Sequence, residues 1–96
     1  MQQIEVSRAD VEQFLSRFHV RVTDDAGDTD HVVTLSGTDW ERLGKGFHSP
    51  EVFIQSCFGF LLEREPKEEI LASFDVSQIP GYFPEFELEM AKRAGA

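Results

Sequence analysis

The stretch "SPEVFIQSCFGFLLEREP", residues 49–66, constrains the fold more than any other. Ser49 stands where a hydroxyl can cap the first turn of a helix. Pro50 fits the first helical position, Glu51 favours the positive end, and Pro66 closes the run. At ~100° per residue, Phe60, Phe53, Cys57, Leu61, Ile54, Phe58 and Leu62 sweep an arc of roughly 200°. Only Gln55, Ser56, Gly59 and Glu63 make a polar strip. A helix this apolar must be covered from two sides, by the rest of the chain or by a second copy. Residues 50–64 are therefore expected to form a central rod.

Something must lie on that rod, and "FHVRVTDDAGDTDHVVTLS" supplies it. Phe18, Val20 and Val22 alternate with His19, Arg21 and Thr23, and His31, Val33 and Leu35 alternate in the second arm, the period of half-buried strands. With Ala26-Gly27 as a two-residue turn, Val22 faces His31, Val20 faces Val33 and Phe18 faces Leu35. Both apolar sets then share one face, and a slip of one residue would destroy that agreement. Ala is a poor first residue for the φ > 0 turns that close tight hairpins, so a longer loop starting at Asp24-Asp25 is the alternative. In this register Asp25, Asp28 and Asp30 lie on the wet face. An EF-hand loop needs D-x-[DN]-x-[DN]-G and a glutamate at its twelfth position. Here Gly27 precedes Asp28 and Asp30, so "DDAGDTD" reads as a solvated turn.

Three further segments read as helical. In "VSRADVEQFLSRF", Ser7 and Asp10 stand at capping-box spacing and Val6 and Val11 at staple spacing. Val11, Phe14, Leu15 and Phe18 follow the i, i+3, i+4, i+7 rule, which predicts an N-terminal helix within residues 1–17. Thr38 and Glu41 form another capping box, with Gly44 as the stop. "PKEEILASFD" places Pro66 at the first helical position and Ile70, Leu71 and Phe74 on one face. Beyond it, Pro80, Gly81 and Pro84 allow only short helical turns, and Phe86 and Met90 are an i, i+4 pair on a tail expected to fray. The predicted fold is α+β in one domain, residues 1–96. A two-stranded antiparallel hairpin (18–36) packs on a compact bundle of three to four short helices, made of the N-terminal helix (1–17) and a helical part over 38–92. Seven of nine phenylalanines follow residue 46, so that part must supply most of the core.

Nine basic against eighteen acidic side chains leave a net charge of −9. Nucleic-acid binding draws most of its affinity from clustered cations, which here are scattered singly until the pair Lys92-Arg93. Neither nucleic acid nor an anionic membrane is an expected partner. No run approaches the ~18 uncharged apolar residues of a membrane span, and "MQQIEVSRADVEQF" lacks the apolar core of a secretory signal. Cys57 is the single cysteine, so no internal disulfide or thiolate zinc site is expected, and a reducing cytoplasm fits.

"FGFLLEREPKEEILASFD" and "IPGYFPEFE" resemble a group of short bacterial proteins that carry no assigned function. The shared pattern is S-P-E…FLLEREP…IL…FD…I…YFPE-aromatic-E. It spans residues 49–87 and implies no particular chemistry. Pro80-Gly81 departs from it, where a more helix-friendly pair is expected.

No constellation for catalysis emerges, and no cofactor is expected. Cys57 sits among Phe53, Ile54, Phe58, Phe60 and Leu61, where it acts as a small hydrophobe. His19, His31 and His48 lack any metal-ligand spacing, and His31 belongs on the hairpin's apolar face with a local hydrogen bond. Glu63, Glu65, Glu68 and Glu69 straddle Pro66 and suit helix ends. No glycine-rich phosphate loop is present. The expected function is therefore that of a small acidic, non-catalytic interaction or accessory protein, a homodimer or the partner of another protein. Its expected contacts are Phe53, Phe58, Tyr82, Phe83 and Phe86, since aromatics dominate interface hot spots. The alternative is a small-ligand or divalent-metal binder using the acids of 24–30 or 63–69. A third reading has the −9 surface regulate a basic protein.

Overall fold

A computed structural model describes residues 2–12 and 14–95. In chain order they form β1 (Gln3–Val11), β2 (Leu15–Asp24), β3 (Gly27–Ser36), α1 (Gly37–Leu43) and α2 (Pro50–Leu62). A 3-10 turn (Lys67–Glu69), β4 (Ser73–Asp75), a second 3-10 turn (Val76–Gln78), α3 (Ile79–Tyr82) and α4 (Phe86–Arg93) follow. The strands make a four-stranded mixed sheet in the order β1-β2-β3-β4. The first two pairings are antiparallel and β3–β4 is parallel. The fold is α+β as expected, but with twice the strands.

The N-terminal segment corrects the reading of a helix over 1–17: Gln3–Val11 is an edge strand, and Leu15–Arg17 begin β2. Ile4 lies opposite Val22 and Val6 opposite Val20, extending the hairpin's apolar face. Arg8 lies opposite Phe18 on that same face, with its guanidinium 5.4 Å from the ring centroid. It then reaches Glu51 of α2 at 2.8 Å. A long aliphatic stem under a solvated head lets an arginine hold a core-facing position at a sheet edge. Glu5 points the other way, opposite Arg21, which lies opposite Asp30 on β3. The outer face thus carries a charge ladder, with the Arg21–Asp30 pair at 3.0 Å. Gln13, inside the segment read as helical, lies outside the described residues.

The hairpin has the expected faces and a different register. Phe18 pairs with Val33, Val20 with His31 and Val22 with Thr29, two residues from the expected alignment. Asp24 pairs with Gly27, so Asp25 and Ala26 make the turn. Neither has a positive φ, which removes the objection to alanine, and Gly27 takes the unusual conformation at φ 131°. The Asp24 carboxylate accepts the Ala26 amide at 2.8 Å and fixes the turn. Asp25, Asp28 and Asp30 are exposed.

α2 starts as read: Ser49 Oγ accepts the Val52 amide at 3.2 Å, and Pro50 opens the helix. Phe53, Ile54, Cys57, Phe58, Phe60 and Leu61 are buried, so the wide apolar arc is covered within the chain. Each phenylalanine meets a different neighbour. Phe53 packs against Trp40 and Phe47, Phe58 against His31 and Phe74, and Phe60 against Phe83 and Phe86. α1 is capped by Ser36, whose hydroxyl accepts the Asp39 amide, rather than by Thr38. The C-terminal residues expected to fray form α4, which buries Phe86 and Met90.

The helix expected from Pro66 is a second correction. Only Lys67–Glu69 coil, Ile70 turns extended (φ −73°, ψ 132°), and Ser73–Asp75 joins the sheet beside β3. Among the described residues no helix is long and apolar enough to cross a membrane.

Candidate functional site: an apolar groove with an acidic wall

Between the segment leading into β4, α2 and α3 lies a groove of about 260 Å³. Leu61, Ile70, Phe74 and Ile79 are its buried floor. Leu71 and Tyr82 are its exposed lips, at 47% and 65% of full exposure, with half-buried Phe83 beside them. Gln78, Glu65 and Glu69 complete the lining.

Both walls are pinned. His31, buried on β3, holds the Leu71 carbonyl through Nδ1 at 2.8 Å and contacts Thr29 Oγ1 through Nε2 at 2.8 Å. A carbonyl only accepts, so Nδ1 carries the proton in that bond. The Val32 amide donates to the Ala72 carbonyl at 2.8 Å. On the other side Asp75 and Gln78 form a reciprocal capping box, and Thr34 donates to the Asp75 carboxylate. Burial pushes that carboxyl up, but the hydrogen bonds from Thr34 and Ser77 outweigh it and hold it below the ordinary carboxylate value. A preformed groove loses little freedom when something enters it, which favours binding.

The acids of residues 63–69 do not converge. Glu63 pairs with Arg93 at 2.7 Å and with Arg64, and Glu68 pairs with Lys67. Glu65 and Glu69 alone face the groove, and neither has a cationic partner among the described residues. Burial, then the charge of Glu69, push the Glu65 carboxyl up. Among the described residues no group of three His, Cys, Asp or Glu side chains is placed to hold a metal ion. In the acidic turn, Asp24 bonds Lys67 at 2.8 Å and Asp30 bonds Arg21. Burial also drives the Cys57 thiol far up, so its nucleophilic thiolate is disfavoured.

Of the five aromatics expected at an interface, Phe53, Phe58 and Phe86 are fully buried in the chain's own core. Tyr82 and Phe83 meet at the groove. Leu71 carries no separate signal in the sequence, because its spacing with Ile70 and Phe74 predicts one helical face. The groove itself carries no periodic signal, because short pieces of α2, two 3-10 turns, β4 and α3 build it. A broader depression of about 620 Å³ lies by Trp40, Lys45 and Phe47, and of its lining residues only Gly44, which has no side chain, is buried. It offers no apolar floor to an anchor. No family model matches this chain, and neither does any curated protein or solved structure.

Proposed function

We propose that this chain is a small acidic, non-catalytic interaction module that docks a protein, another copy or a different partner, through the groove between Leu71 and Tyr82. The observation that carries the reading is an apolar-floored groove, its backbone hydrogen-bonded to β3, with the large side chains of Leu71 and Tyr82 exposed at its lips. Tyrosine at such a rim provides contact area at low entropic cost, as hot-spot residues do. The groove's volume of about 260 Å³ lies at the small end of the range for ligand pockets, about 300–1,000 Å³. It suits one or two inserted side chains.

The test uses a photo-crosslinking phenylalanine analogue placed singly at Leu71, Tyr82 or Asp28 and irradiated in cells. The same discrete protein adduct is expected from positions 71 and 82 and none from 28, which lies at the hairpin turn. Sedimentation of the purified chain then separates a self-adduct from a foreign one. No adduct at the groove positions, or equal adducts at all three, removes the reading. Truncating Phe53, Phe58 or Phe86 is not informative, because a buried Phe→Ala change costs about 3–5 kcal/mol and can unfold a domain this small.

A further inference from the structure

Resting on the groove as a docking site, its lining also specifies the chemistry of what enters. The floor is apolar and one wall is acidic. Nearby carboxylates are paired within the chain: Glu63 with Arg64 and Arg93, Glu68 with Lys67, and Glu85 with Arg64 at 2.8 Å. The cations closest in sequence, Arg64 and Lys67, are thereby engaged. Arg64 is further fixed with its guanidinium 3.6 Å from the centre of the Phe60 ring and a bond to the Phe60 carbonyl. Glu65 and Glu69 are left as a like-charged pair, and the half-buried position of Glu65 makes that repulsion costly. A positive charge arriving from outside would relieve both at once, and no cation lines the groove to oppose it.

We propose that the groove recognises a protein segment in which a large apolar side chain lies within a few residues of a lysine or arginine. The apolar group fills the floor over Ile70, Phe74 and Ile79, and the cation sits between Glu65 and Glu69. Two carboxylates without a third ligand make a poor metal site, whereas a guanidinium or ammonium needs only such a pair. The −9 net charge of the chain steers a basic segment toward it at long range.

The full chain is screened against a random dodecapeptide display library, and selected peptides are measured by fluorescence anisotropy. The expected peptides carry Leu, Phe or Met beside Lys or Arg. The pair Glu65→Gln and Glu69→Gln should weaken them about ten-fold while the far-UV circular dichroism is unchanged. Raising salt should weaken wild-type binding more than binding to that variant. Peptides that lose binding on Leu71→Ser with Tyr82→Ser, yet lack basic residues and ignore the glutamine variant, overturn the charge rule and leave the docking reading standing. Peptides insensitive to the Leu71 and Tyr82 changes, or no selected peptide at all, overturn both. Binding of dodecyltrimethylammonium in the groove without any selected peptide overturns the protein-segment assignment. Self-association that Glu65→Gln abolishes supports it, with a second copy as the source of the segment.

Discussion

Lys67 is 3% exposed, a degree of burial that lysine rarely tolerates without partners. Its partners are Asp24, across the fold on the hairpin turn, and the adjacent Glu68. The hydrogen bond to Asp24, then that to Glu68, raises the ammonium pKa, and Lys67 chiefly lowers that of Asp24. A depressed carboxyl pKa stabilises the fold above the unfolded value near 3.8, and this is lost as pH falls through the folded value. The raised ammonium acts in the opposite sense and is lost only in strong alkali. Acid unfolding of the wild type should therefore steepen below the ordinary carboxylate range, and Lys67→Met should flatten that limb. The two single changes are not equivalent. Lys67→Met leaves Asp24 with access to water, because its side chain is 31% exposed. Asp24→Asn keeps an acceptor oxygen for the Ala26 amide and the ammonium but leaves Glu68 as the one opposite charge beside a buried lysine, and under-compensating a buried charge is the costlier error. Thermal melts at neutral pH should rank Asp24→Asn below Lys67→Met, and the reverse order would show that the ion pair does not carry the contact.

At the scale of elements, the end of α1 is set by shape as much as by hydrogen bonding. The Gly44 amide donates to the Trp40 carbonyl at 2.8 Å, and a Cβ at Gly44 would fall 2.0 Å from Trp40 Cε3. Trp40 in turn packs edge-on against Phe53 of α2. Gly44→Ala must displace the indole or the helix end, so a loss of about 1–3 kcal/mol is expected, as for other overpacked sites. The emission of Trp40, the chain's single tryptophan, should shift with it. Unchanged stability and emission would mean the ring moves freely. Such packing is invisible to periodicity, and the same gap explains which elements could be read in advance. α2 was legible because its cap, its N1 proline and its apolar arc agree. The hairpin's faces were legible, but alternation fixes only odd against even. The two-residue displacement goes with Gly27, which takes φ 131° where β3 leaves the turn, a conformation open to glycine. β1 was misread because an edge strand buries few residues, and Arg8 occupies a core-facing position where a hydrophobe would have signalled a strand. The Ser7/Asp10 capping pattern was a local preference that sheet pairing overrode. β4 contributes a single inward side chain, Phe74, too little for any period. With β4 unread, the groove was unread too, although Tyr82 and Phe83 were singled out from composition alone.

For the molecule as a whole, two electrostatic effects of opposite sign compete. The chain is folded to a radius of gyration of 12.5 Å, matching the roughly 12–13 Å expected for a collapsed domain of this length. Nine uncompensated negative charges are thus confined within 35 × 28 × 24 Å. Against that repulsion stand cross-element ion pairs such as Arg8–Glu51 and Arg42–Glu87 at 2.8 Å, and Arg93–Glu63 at 2.7 Å. Range decides between them. Contacting pairs lie far inside the Debye length, about 30 Å at 0.01 M salt and about 10 Å at 0.1 M, and exposed pairs contribute at most about 1 kcal/mol each. Repulsion between acids on opposite sides of the molecule spans distances comparable to that length and is largely removed over the same interval. Unfolding relieves the repulsion too, so screening it favours the folded state. The midpoint of thermal unfolding should therefore rise as sodium chloride increases from about 0.01 to 0.1 M, by about 4–8 °C for each kcal/mol recovered in a domain of this size. Glu65→Gln with Glu69→Gln should raise the low-salt midpoint and reduce its salt response, since it removes two of the unneutralised charges. A midpoint that falls with salt would mean the paired charges outweigh the excess ones, and would leave the acidic wall without a cost for an incoming cation to relieve.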